Sequence, residues 1–155
     1  MQITGLDAVI REHPLFKGLD EDTLALVAGC ARNVHFPAGG YLFREGGPAD
    51  EFYLLRVGRV ALEAASPGRG TLTILTLGAG EVAGVSWLVA PYRWRHDARA
   101  VDDVRATGVN ADCLRRKCET DPRLGYELMK RLVQILLKRL QTTRLQMLDV
   151  YGGKR

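Results

Sequence analysis

Phe36-Pro37-Ala38-Gly39-Gly40-Tyr41-Leu42-Phe43-Arg44-Glu45-Gly46-Gly47-Pro48-Ala49-Asp50-Glu51-Phe52-Tyr53-Leu54-Leu55-Arg56-Val57-Gly58-Arg59-Val60 is the stretch that decides the fold. Its aromatic and aliphatic runs, Tyr41–Phe43 and Phe52–Leu55, are too short for helices. Pro37–Gly40, Gly46–Pro48 and Gly58 break the chain between them with turn residues. The same texture continues outward, through Val34-His35-Phe36 on one side and Val60-Ala61-Leu62 and Thr71–Leu77 on the other. Further turns fall at Pro67-Gly68 and Gly78-Ala79-Gly80. In Thr71–Leu77, Leu72 and Ile74 compete with Thr71, Thr73 and Leu75 for the inward face, so the register stays open. Many short strands with no long helices between them predict a mainly β sandwich or jelly roll over residues 32–110, not a parallel α/β sheet.

Helical signals flank this region. In the N-terminal part, residues 1–31, Leu6, Val9 and Ile10 share one face of a helix. That helix should end at His13-Pro14, because a residue before proline avoids helical angles. Asp20 is the expected N-cap of a second helix, with Glu21 and Asp22 in its first turn and Leu24 and Val27 as its buried stripe. In the C-terminal part, residues 111–151, a short basic helix covers about Ala111 to Cys118. Asp121-Pro122 then opens a longer one, with proline at the first helical position. It can run to Tyr151 before Gly152-Gly153 stops it, leaving residues 152–155 as a tail.

The long helix carries two apolar stripes. Met129, Val133, Leu136, Leu140, Thr143, Met147 and Val150 follow a 4-3 spacing, the period of a coiled-coil seam. Leu124, Leu128, Leu132 and Ile135 form a second stripe that can pack on the β region. Two apolar faces want two partners, which predicts a homodimer through a second copy of the helix. The plainer alternative is one wide core-facing surface.

Composition narrows the function classes. The 155 residues are 46% hydrophobic and 26% charged, which suits a soluble globular domain. No run of about 18 apolar residues exists, so no membrane span is expected. Met1 to Ile10 lacks the basic-then-apolar order of a secretory signal. Cys30, Cys113 and Cys118 are odd in number and contain no CxxC pair, so a disulfide framework is not expected and a reducing cytoplasm fits. Residues 1–104 hold 10 Lys/Arg against 13 Asp/Glu, and residues 105–155 hold 12 against 5. The basic C-terminal half could attract nucleic acid or an acidic protein surface, yet no base-reading module accompanies it. His13, His35 and His96 lie far apart, and Cys113-x4-Cys118 lacks further ligands, so no metal is expected. Neither Ser66 nor Ser86 sits in a G-x-S-x-G elbow, and Gly78-x-Gly80 does not open a helix. No enzyme is expected.

Taken together, Phe36–Gly46 resembles the early strands of the cyclic-nucleotide-binding domain, and Pro48–Val60 resembles its next hairpin. His13-Pro14-Leu15-Phe16-Lys17-Gly18-Leu19 is similar to the family's N-terminal helical approach. The order covers about residues 10–151 and looks closest to the sensory domains of the Crp-Fnr type of bacterial regulators. The resemblance implies a β-roll ending in a long dimerisation helix. Leu148-Asp149-Val150-Tyr151-Gly152 resembles the hinge where those regulators continue into a helix-turn-helix. If the chain ends at Arg155, the DNA-reading part is absent and major-groove contacts are excluded.

The resemblance also implies a phosphate-binding cassette. It maps to Gly80-Glu81-Val82-Ala83-Gly84-Val85-Ser86-Trp87-Leu88 and continues to Ala98-Arg99-Ala100. Gly80, Glu81 and Gly84 match. The ribose-binding Glu falls at Val85, the phosphate-binding Arg at Trp94 and the small Ser/Thr beside it at Arg95. Losing two charge-assisted contacts would cost ~3–6 kcal/mol, enough to move a roughly micromolar site to millimolar or weaker. A one-residue shift would instead bring Arg93 or Arg95 to a phosphate, with Trp94 stacked on a base. Thr143 resembles the family's base-contacting Thr, although Arg144 follows it. Three readings stay open: a pocket plugged by tryptophan that docks a protein partner, a non-standard anionic small molecule, or a genuine cyclic nucleotide.

Overall fold

The structure is a computed structural model and describes residues 5–152. The stop signal at Gly153 and the rest of the expected tail lie outside the described residues, as do the first four residues. Helices α1 (Gly5–Glu12) and α2 (Glu21–Gly29) come first. The strands β1 (Ala31–Phe36), β2 (Tyr41–Phe43), β3 (Glu51–Val57), β4 (Val60–Ser66) and β5 (Gly70–Leu77) follow. After β6 (Val82–Ala83) and one 3-10 turn (Ser86–Leu88) come β7 (Asp97–Ala100) and β8 (Val104–Asn110). Helices α3 (Ala111–Thr120) and α4 (Pro122–Gly152) close the chain.

Local chemistry sets the helix ends. Asp20 Oδ1 accepts from Thr23 N at 2.8 Å to cap α2, and Asn110 Oδ1 accepts from Cys113 N at 3.0 Å to cap α3. The strands form two antiparallel four-stranded sheets, β1-β8-β3-β6 and β2-β7-β4-β5. Phe52, Leu54, Val60, Leu77, Ala98 and Val104 from both sheets are buried in one apolar cluster. The result is a β-roll with helices at both ends.

The β4–β5 ladder answers the open register of Thr71–Leu77. It pairs Val60 with Leu77 and Ala65 with Thr71, with a bulge at Leu62/Glu63. Leu77 is buried and Leu72 is 46% exposed, so the strand runs off the core at its N-terminal end.

Asp102-Asp103 carry the chain from β7 in one sheet to β8 in the other. Asp102 accepts from Arg59 N at 2.7 Å, and Asp103 pairs with His35 at 2.6 Å. The corner passes so close to Gly58, at φ 91°, that a Cβ there would meet Asp103 O at 2.2 Å. Cys30 and Cys113, expected as unpaired thiols, are bonded across the C-terminus of α2 and the N-terminus of α3. Cys113 and Cys118 lie on different sides of α3, since five residues turn a helix to about 140°. Cys118 faces the core, and burial pushes its thiol up to about 11.

The 31 residues of α4 span about 46 Å. Leu124, Leu128 and Leu132 are buried against the rest of the fold, and Ile135 is half-buried. Burying leucines such as Leu128 and Leu132 contributes roughly 1.5–3 kcal/mol each. On the other face, Met129, Val133, Leu136, Leu140, Met147 and Val150 are 37–65% exposed.

Candidate functional site

The turn between β5 and β6 is drawn in tightly. Gly80 N donates to Leu55 O at 2.8 Å, Leu55 N donates to Glu81 O at 2.9 Å, and Gly78 N donates to the Glu81 carboxylate at 3.0 Å. Glu81 thus ties down its own turn with one carboxylate oxygen while the side chain remains at the surface. Val82 and Ala83 then enter the core.

The segment after β6 is packed with aromatic rings. Trp87 is fully buried and stacks on Phe52 with ring centroids 4.6 Å apart. Trp94 is 4% exposed and stacks on Phe43 at 4.1 Å. Its ring lies against Gly84, at φ 103°, where a Cβ would meet Trp94 Cη2 at 2.6 Å. Only glycine fits there, because an indole fills the space. Trp94 N donates to Gly47 O and Gly46 N to Trp94 O, so the loop is also fastened through its backbone. Arg115 Nη1 holds it from α3, donating to Trp87 O at 2.7 Å and Ala49 O at 2.9 Å.

A cavity of about 410 Å³ lies between α4 and the β5–β6 edge. Leu75, Val82 and Ile135 give it apolar walls, and His13, Glu81, Lys138 and Thr142 give it polar groups. Arg139 projects into it from α4, and its Nη2 donates to Val82 O. Its Nε and Nη1 are buried without a hydrogen-bond partner in the protein. Burial depresses the Arg139 guanidinium, with Glu81 opposing that shift, and burial likewise lowers His13.

Residues 33–121 match the cyclic nucleotide-binding domain. The chain belongs to that family. Over 94% of its length it is 24% identical to a CRP-like cAMP-activated global transcriptional regulator of Mycobacterium tuberculosis, of which it spans 63%. It superposes with a TM-score of 0.79 on a candidate cyclic nucleotide-binding protein from Geobacter metallireducens GS-15, at 31% identity over 90% of this chain and 99% of the other. The N-terminal domain of a transcriptional regulator from Streptomyces coelicolor gives 0.66 at 25% identity, covering 86% of this chain and 94% of the other.

The cyclic nucleotide-binding fold makes the departures from its cassette concrete. Val85, at the ribose position, is half-buried against the core. Arg93 and Arg95 are exposed and neither lines the α4 cavity; Arg93 Nη1 donates to Gly46 O at 3.2 Å. The expected shift of Arg93 or Arg95 onto a phosphate, with Trp94 stacked on a base, is thus not the geometry found: Trp94 is already sandwiched. Arg99 is committed to buried Glu63, with Nη2 to Oε2 at 2.7 Å. Thr143 gives its hydroxyl to Arg139 O at 2.8 Å, and Thr142, not Thr143, lines the cavity. Of the expected site, Gly80 and Glu81 reach the cavity. The sequence reading missed Arg139, Lys138 and His13 as groove residues. A signal was available, because continuing the stripe Leu124, Leu128, Leu132, Ile135 at the same spacing lands on Arg139 and Thr142.

Proposed function

We propose that this chain is a regulatory, non-catalytic member of the family that works in the cytoplasm as a homodimer through α4. Its signal comes from the groove beside that helix. Either a small molecule not held in the standard cassette manner occupies the groove, or a protein partner docks at the loop beside it. The observation that carries this reading is the division of labour along α4. One face walls the groove with Ile135 and Arg139, while a face about 100° round the helix leaves Met129, Val133, Leu136, Leu140 and Met147 in solvent. An exposed apolar stripe of this length marks an interaction site, and its 4-3 spacing suits a second helix. Occupation of the groove would tilt the roll against α4, and the seam would relay the change.

The basic C-terminal half supports a DNA-associated role only weakly. Arg116, Lys130 and Arg131 pair with Asp112 and Glu127 on their own helices. A cytoplasmic setting implies that Cys30 and Cys113 are thiols in the cell and bond on oxidation. The test of the dimer is light scattering on wild type and Leu136→Lys/Leu140→Lys. A dimer that becomes a folded monomer is the expected result. A doubly substituted protein that stays dimeric would overturn the seam.

A further inference from the structure

We infer that the groove binds a small organic anion with its carboxylate or phosphate held from α4 by Arg139, assisted by Lys138 and His13, and its apolar body along Leu75, Val82 and Ile135. This rests on the reading of the groove as the sensory site, and it names that site's ligand class. It also places the anion between the start of the cassette, Gly80 to Val82, and the helix that carries the dimer seam.

Three observations converge. The first is the donor set. Arg139 Nε and Nη1 are buried, unpartnered and border the cavity, with His13 and Lys138 beside them. His13 Nδ1 accepts from Leu15 N at 3.1 Å, so a neutral ring carries its proton on Nε2 and offers a donor. The carboxylate among the lining residues, Glu81, accepts from Gly78 N and makes no ion pair with Arg139. A guanidinium withdrawn from water without a carboxylate is costly, and an anion arriving through the groove would supply the missing partner.

The second is the rest of the cavity. At about 410 Å³ it has the size of a small-molecule site, and Leu75, Val82 and Ile135 offer nothing to a polar base edge. An amphipathic anion matches these walls better than a nucleoside does. The third is the closed alternative: Trp94, stacked on Phe43 and pressed against Gly84, fills the cassette.

The test is calorimetric titration of 1-naphthyl phosphate and neutral 1-naphthol into the full chain, repeated with Arg139→Met and Arg139→Lys, with melting temperatures for each. The expected result is naphthyl phosphate binding at least about tenfold tighter than naphthol, a preference erased by Arg139→Met and partly kept by Arg139→Lys. Arg139→Met should melt no lower than wild type, since it removes an unpaired buried charge. An equal affinity for both probes, or a preference that survives Arg139→Met, overturns the inference. So does a marked drop in melting temperature, which would make Arg139 a structural tie to Val82. Loss of the preference in a protein that still dissociates on Leu136→Lys sinks this inference alone. A monomeric wild type that keeps the preference sinks the regulatory reading alone.

Discussion

The loop from Trp87 to His96 and the middle of α4 sort their aromatic and basic residues in opposite ways. In the loop, the two tryptophans go inward and Arg93 and Arg95 go out to water. On α4, Leu136 and Leu140 face water while Arg139 turns inward to the cavity. The loop is dry packing at the positions expected for a phosphate cassette. The helix holds a buried guanidinium whose Nε and Nη1 have no hydrogen-bond partner in the protein. The difference teaches that a dense aromatic-basic segment is not a site by composition. What decides is which side chains have unspent hydrogen-bonding capacity in a space a ligand can enter.

The contrast can be broken at either end. The largest effect is expected at Trp94. Replacing it with alanine should cost about 3–5 kcal/mol in urea unfolding, as for a core aromatic; a cost under about 1 kcal/mol would mean the ring is a ligand platform and not core. On α4, Leu128→Ala should cost roughly 2–5 kcal/mol, whereas Leu140→Ala should leave the protomer's own stability nearly unchanged and weaken association. Equal destabilisation by both would merge the two faces into one.

Arg139→Met should stabilise the protein by about 1–2 kcal/mol, because an unsatisfied buried polar group is removed. Loss of stability would mean that its bond to Val82 outweighs the burial. The smallest effect concerns pH. Burial lowers His13 and His96 below the ordinary 6.5, so the folded state binds fewer protons than the unfolded chain. Their contribution is complete above about pH 6.5 and declines as pH falls toward the folded-state values. Melting temperature should therefore drop between about pH 7 and 5. His13→Asn, which keeps an acceptor for Leu15 N, should flatten that slope; an unchanged slope would remove His13 from the account.

The β-roll and its helices were legible because their signals are local. Turn glycines bracket the strands, Asp20 and Pro122 open helices, and the 4-3 stripes mark the faces of α4. Val85 and Trp94 stood out for a similar reason, since at their expected cassette positions both interrupt a linear motif. The fate of Trp94 was not legible, because its partner Phe43 lies about fifty residues away on β2. Arg139 was hidden for a different reason. An arginine among exposed leucines reads as a solvated helix residue until the opposite wall, Val82 and Leu75, is brought against it. The pairing of Cys30 with Cys113 likewise depends on two helix ends meeting, which no spacing rule reveals.

Calorimetric titration of cyclic AMP into the wild-type protein tests the central claim most directly. With Trp94 in the cassette and no carboxylate at Val85, no saturable heat is expected below about 1 mM. Micromolar, one-to-one binding would contradict it, showing that the indole gives way to a phosphate and that the cassette is a working site after all.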